Sequence, residues 1–188
     1  MKVRIALAAF ASVATLAAVG GITAATASGA ATTAANTAAP TTYTPPRCYI
    51  GDLSAGFHGY QIEMGTRGYI LTLTNIGNHS CTLYGYPGLQ LLNARMQPLP
   101  TRTLWGSSYF DRNPGKSRIV LSPGETASAD ISYGVYGIRS NSVLAYYMEV
   151  TPPNCYDHFI LKIPYGPALV YLHQVQVTAM ARHTPYLP

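Results

Sequence analysis

Apolar and polar positions alternate with a period of two along much of the chain beyond residue 47. The pattern is most regular over residues 126–133, where Ala127, Ala129, Ile131 and Tyr133 interleave with Thr126, Ser128, Asp130 and Ser132. Successive side chains of a strand point to opposite sides, so this segment predicts a strand with one apolar and one wet face. Tyr69, Leu71 and Leu73 take the inward phase against Thr72 and Thr74, with Ile70 an apolar exception on the outer face. Tyr60, Ile62 and Met64 group against Gln61 and Glu63, and this segment also reads as a strand. Shorter strands are predicted at 81–84, 88–92, 118–121, 145–151, 158–163 and 171–179. Between them stand Asn75-Ile76-Gly77-Asn78, Pro87-Gly88, Pro114-Gly115, Pro123-Gly124 and Pro152-Pro153-Asn154. Proline fixes φ and glycine accepts positive φ, so these clusters reverse the chain. No segment of the domain places apolar residues at helical spacing for three turns. Many short strands without intervening helices predict an antiparallel sandwich or barrel rather than a parallel sheet. No internal repeat is present, and Trp105 falls in a connection, so the buried Trp of antibody domains has no clear counterpart.

The amino terminus has a different character. Lys2 and Arg4 precede an apolar stretch from Ile5 to Val19, and Ala25-Thr26-Ala27 follows as a small-x-small site. That order predicts a secretory signal over residues 1–27, cleaved after Ala27. A membrane anchor would need about 20 consecutive apolar residues, whereas Ser12, Thr15 and Gly20-Gly21 interrupt this stretch. No Cys near the cut offers a lipid acceptor, so no stable membrane span is expected after cleavage. Residues 28–46 are almost wholly Ala, Thr and Pro and predict a disordered linker. Residues 47–188 then form one domain, long enough for a core without a metal.

Composition narrows the partners. Without Lys2 and Arg4, ten basic and seven acidic residues remain, a net of +3. So mild an excess does not argue for nucleic acid, though it is compatible with weak attraction to anionic envelope polymers. Cys48, Cys81 and Cys155 are the only thiols. Export would place them where disulfides persist. Position favours Cys48 with Cys81, the first at the mouth of the domain and the second at the start of a predicted strand. Closing that loop contributes roughly 3 to 4 kcal/mol in the chain-entropy model. Cys155 is then left over, either buried and inert or available to another chain.

Three groups of residues, taken in order, look familiar: Leu73-Thr74-Asn75-Ile76-Gly77 running to Cys81-Thr82-Leu83, then Gly85-Tyr86-Pro87-Gly88, then Leu121-Ser122-Pro123-Gly124-Glu125-Thr126-Ala127. Together they resemble a family of secreted or lipid-anchored actinobacterial domains of unknown function, over roughly residues 48–179. The resemblance implies an extracytoplasmic immunoglobulin-like β-sandwich. It also implies a Cys that opens the domain and another after the Asn-x-Gly turn, which Cys48 and Cys81 match. Relatives often carry a second cysteine pair in the later half, where this chain has Cys155 alone.

Catalytic signatures were sought in turn. Gly115-Lys116-Ser117 has Phe110 where a phosphate-binding loop needs Gly, so it reads as a turn. No Gly-x-Ser-x-Gly elbow exists. His58, His79, His158, His173 and His183 are scattered, with no pair at metal-ligand spacing and no Cys-x-x-Cys. His173 shares the inward phase of Val175 and Val177 and is expected to be a hydrogen-bonded core residue. Met64, Met96, Met148 and Met180 form no Met-His cluster of the kind that copper carriers use. The acidic residues fall on different strands and turns, and a glycosidase pair would have to be assembled in space. No cofactor is expected, and no enzymatic activity. Asn78-His79-Ser80 matches an N-glycosylation triplet, a chance match in a bacterial protein.

The most suggestive region is the connection 101–117, which holds Arg102, Trp105, Tyr109, Phe110, Arg112 and Lys116. Loops of that length are often functional. Aromatics beside basic groups suit a sugar face, an anionic polymer or a protein partner. The opposing reading has Trp105 and Phe110 folding back to cap one end of the sandwich. Clustered tyrosines at Tyr133, Tyr136, Tyr146 and Tyr147 reflect strand propensity. The expectation is a secreted, extracellular or cell-wall-associated, non-enzymatic binding module for an unknown protein or a cell-wall polysaccharide. The alternatives are a secreted hydrolase with a site of dispersed acidic and His residues, and a structural surface protein linked through Cys155.

Overall fold

A computed structural model describes residues 43–135 and 141–182. The predicted signal segment, the linker up to residue 42, Tyr136 and His183 lie outside these residues. A short 3₁₀ turn, Ile50–Asp52, leads into twelve described strands. They are β1 (Leu53–Glu63), β2 (Thr66–Asn75), β3 (Cys81–Tyr84), β4 (Gly88–Leu92), β5 (Arg102–Trp105) and β6 (Arg118–Leu121). After these come β7 (Thr126–Gly134), β8 (Ser142–Ala145), β9 (Tyr147–Thr151), β10 (Phe159–Lys162), β11 (Ala168–Tyr171) and β12 (Gln174–Val177). The largest sheet has the order β1-β2-β7-β12-β5, a second has the order β10-β9-β4, and β3-β6 and β11-β8 form two-stranded ribbons. The strands pair antiparallel except β5 beside β12, which run parallel. The fold is thus an all-β sandwich. No helix among the described residues is long and apolar enough to cross a membrane.

The core follows from the alternation. Tyr69, Leu71 and Leu73 of β2, Ala127, Ala129 and Ile131 of β7, and Val175 and Val177 of β12 turn inward from the large sheet. They meet Leu89 and Leu91 of β4, Met148 and Val150 of β9, and Leu83, Ile119 and Leu121 of the β3-β6 ribbon. Burying a side chain of this size stabilises by about 1.5–3 kcal/mol. Cys48 and Cys81 are joined and fully buried, which ties the chain entering the domain to β3.

The turn chemistry that carries the family resemblance is structural here. Asn75 is buried, and its side-chain amide donates to the carbonyls of His79 and Leu121, while its Oδ1 accepts from Gly77 N–H. Its backbone N–H donates to Glu125 O and its carbonyl accepts from Gly124 N–H. The Asn-x-Gly and Ser-Pro-Gly-Glu turns therefore lock together at one end of the sandwich.

Several local expectations are corrected. Residues 101–117 are not one unstructured loop: Arg102–Trp105 is a strand, held in register by the parallel ladder with β12. Residues 171–179 hold the end of β11 and all of β12, because Leu172 and His173 both take positive φ, 52° and 59°, in a tight turn that carries the chain from one sheet to another. His173 is therefore a half-buried turn residue, not a core histidine. Residues 145–151 likewise divide at Tyr146 into β8 and β9. Met64 lies in the β1-β2 turn with positive φ, and Ile62 is exposed near that end, so neither continues the apolar face that Tyr60 begins. Ile70 faces outward as expected yet is fully buried, because β1 carries one extra residue between His58 and Gln61. At this bulge Gly59 (φ 56°) lies against Ile70: a Cβ there would stand 2.9 Å from Ile70 Cδ1.

Candidate functional site

The Gly85-Tyr86-Pro87-Gly88 turn links β3 to β4 and brings Tyr86 beside the last residue of β5. Tyr86 stacks on Trp105 with ring centroids 5.6 Å apart and planes 9° from parallel. Asn113 fixes this arrangement, donating from Nδ2 to Tyr86 Oη at 2.6 Å while its Oδ1 accepts from Ala179 N–H at 3.1 Å. Lys116 Nζ stands 5.7 Å from the centre of the Tyr86 ring. Trp105 remains 62 % exposed. It borders an open cleft of about 320 Å³ lined also by Tyr84, Gly88, Thr151 and the Pro152–Cys155 turn. A flat aromatic pair on a rigid strand end, open to solvent, is a surface for a planar or ring-shaped apolar face.

Residues 107–113 fold back over the outer face of the large sheet. Ser108 Oγ donates to Asp130 Oδ1 at 2.5 Å and accepts from Asp111 N–H, while Tyr109 N–H donates to Ser132 Oγ. Phe110 crosses over Gly68, where a Cβ would meet Phe110 Cε2 at 2.8 Å. The six candidate residues of the 101–117 connection are therefore not one patch. Trp105 and Lys116 share the cleft; Tyr109, 47 % exposed, borders a second hollow lined also by Tyr133, Tyr171 and Gln176. Phe110 covers the sheet, and its ring meets Tyr109 edge-on at 5.1 Å. Arg102 and Arg112 are exposed and line neither cleft. Tyr84 and Tyr86 were missed, because nothing in an aromatic on a strand end or in a Gly-x-Pro turn announces that it will face a tryptophan from elsewhere in the chain.

Beneath residues 107–113 the sheet is polar and dry. Asp130 is 1 % exposed. Burial pushes its carboxyl up to about 6, Asp111 adds to the rise, and the Ser108 hydrogen bond opposes it. Asp130 Oδ2 and Gln61 Oε1 are both buried acceptors without a donor. A proton on Asp130, or a Gln61 amide turned about its axis, supplies the missing hydrogen. Asp130 faces this packed layer and lines none of the clefts described here. Cys155 is half-buried, its Sγ donates to Cys48 O at 3.2 Å, and burial raises its thiol, the opposite of an activated nucleophile. Two of the described histidines each approach one carboxylate, His79 with Asp52 at 3.9 Å and His158 with Glu149 at 3.6 Å. No group of three or more His, Cys, Asp or Glu among the described residues is placed to hold a metal.

A family model described as "Domain of unknown function (DUF4232)" matches residues 48–181. No curated protein matches the chain. Among solved structures it shows a likeness to a β-glucosidase from Kluyveromyces marxianus, at 12 % identity and a TM-score of 0.29, covering 68 % of this chain and 14 % of that one. So slight a likeness, over a small part of that enzyme's length, carries no argument here.

Proposed function

Since the chain belongs to the family described as Domain of unknown function (DUF4232), whose description offers no activity to inherit, we propose from the site itself that this is a non-enzymatic binding module of the cell exterior or envelope. Its ligand is a cell-wall polysaccharide laid against the Trp105–Tyr86 platform. The observation that carries the reading is a tryptophan 62 % exposed yet held rigidly, stacked on a tyrosine that Asn113 pins in place. An isolated exposed tryptophan would lose side-chain freedom on binding, whereas one already fixed loses little. The apolar face of a pyranose ring covers such a surface while its hydroxyls stay in water at the open side of the cleft. The Cys48–Cys81 disulfide supports an oxidising location, as does the signal segment read from residues 1–27.

The test is affinity electrophoresis of the protein through gels containing purified cell-wall polysaccharide. The native protein is retarded, and Trp105→Ala, which removes an exposed side chain and leaves the core untouched, migrates as in the empty gel with an unchanged circular dichroism spectrum. Equal retardation of both proteins contradicts the reading.

A further inference from the structure

We propose that the same cleft selects an anionic glycan, one bearing carboxylate or phosphate groups, over a neutral one; this inference rests on the platform reading above. The cleft beside Trp105 and a second, of about 310 Å³, share Tyr84 and Asn154 in their linings, so a ligand chain crossing these two residues would follow both as a single groove. Three cations line it: Lys116 at the Trp105 end, and Arg118 and Arg47 beyond Tyr84. No Asp or Glu belongs to either lining. Asp157, which acts on Cys155, lies outside the lining.

The cations are positioned rather than loose. Lys116 is drawn over Tyr86. Arg118 begins β6 directly opposite Tyr84 across the β3-β6 ladder. Arg47 donates from one guanidinium nitrogen to Asn154 O at 2.9 Å and lies 4.8 Å from the centre of the Tyr49 ring. Among the described residues none of the three is in an ion pair with a carboxylate, whereas Arg182, away from the groove, is paired with Glu125 at 3.0 Å. Unneutralised charge of one sign lining a cleft in the protein surface concentrates ligands of the other sign. The groove therefore offers ring stacking at one end and a run of positive charge leading away from it, the complement of a sugar chain with acidic substituents.

Trp105 is the chain's single tryptophan, so its fluorescence reports on this groove alone. The full-length protein is titrated at pH 7 with polygalacturonate oligomers and, separately, with the same oligomers fully methyl-esterified. The charged form is expected to change the Trp105 emission with a half-saturation about tenfold lower than the ester, and to weaken as salt rises toward screening concentrations. Arg118→Gln and Arg47→Gln, both beyond the Trp105–Tyr86 platform, each raise the half-saturation for the charged form about three- to tenfold and leave the ester's unchanged. Equal half-saturation by both forms, or insensitivity to both substitutions, overturns the anionic preference while the platform reading stands. If neither the charged nor the esterified oligomers change the emission, both readings are overturned.

Discussion

Asp130 is the residue whose surroundings make the sharpest demand. Its carboxyl lies beneath residues 107–113 with one oxygen on Ser108 and the other buried without a donor. Burial raises it from 3.8 to about 6, so the folded protein holds this proton more tightly than the unfolded chain does. The group's contribution to stability is therefore fully present below about pH 4 and is lost as pH rises through about 6, a change of about 3 kcal/mol. Asp130→Asn keeps an acceptor for Ser108 and supplies an N–H for Gln61. Urea unfolding should show the variant more stable than the native protein by about 2 kcal/mol at pH 7.5 and nearly equal to it at pH 4.5. A variant destabilised equally at both values would mean that Asp130 is ionised in the fold. Cys155 makes a milder demand: with its thiol half-buried and donating to Cys48 O, it should react with iodoacetamide at pH 8 more slowly than a free thiol, and non-reducing electrophoresis should show monomer. Rapid labelling or a disulfide dimer would contradict this. The residue types at the site were legible in sequence only where chemistry is written in the side chain. Trp105 and Lys116 were found, whereas Asp130 was counted merely as the wet side of a strand, since nothing local says that a later connection will cover it.

At the scale of elements, strands whose two faces meet different surroundings were legible, and irregularities were not. β7 and β2 alternate because one face meets the core. β3, β4 and β6 run over the expected residues because turn residues bound them. β5 is not legible in the sequence, since its neighbours in the ladder, Gln174 to Val177, lie some 70 residues away, and a parallel partner leaves no local mark. The β1 bulge and the Leu172-His173 turn shift phase with side chains that alternation alone reads as continuous. Gly68 shows what such crossings require. A Cβ there would stand 2.7 Å from Ile131 O and 2.8 Å from both Gln61 Oε1 and Phe110 Cε2. The backbone oxygen cannot yield, so Gly68→Ala should cost about 1–3 kcal/mol and lift Phe110 from the sheet. The expected readout is a lowered melting temperature together with faster chymotryptic cleavage at Tyr109 or Phe110. An unaltered melting temperature and cleavage rate would show that residues 107–113 do not depend on this contact.

For the whole molecule, the two-layer architecture followed from period-two alternation, turn clusters and the lack of helical spacing. The sheet order did not, because which strand pairs with which depends on surfaces distant in sequence. The same holds for the site. It arises where the end of β5, the β3-β4 turn, Lys116 and the Pro152–Cys155 turn converge, and only the folded chain brings these together. Family motifs divide accordingly: the Asn75 and Ser122–Glu125 turns brace one end, and the Gly85–Gly88 turn presents Tyr86. The claim on which the account turns is that Trp105 stands open to solvent and is covered by ligand. Acrylamide quenching of the single tryptophan tests it directly. The account predicts efficient quenching of the free protein and marked protection at saturating polysaccharide. A tryptophan shielded from the outset, or quenched equally with and without polysaccharide, would contradict it.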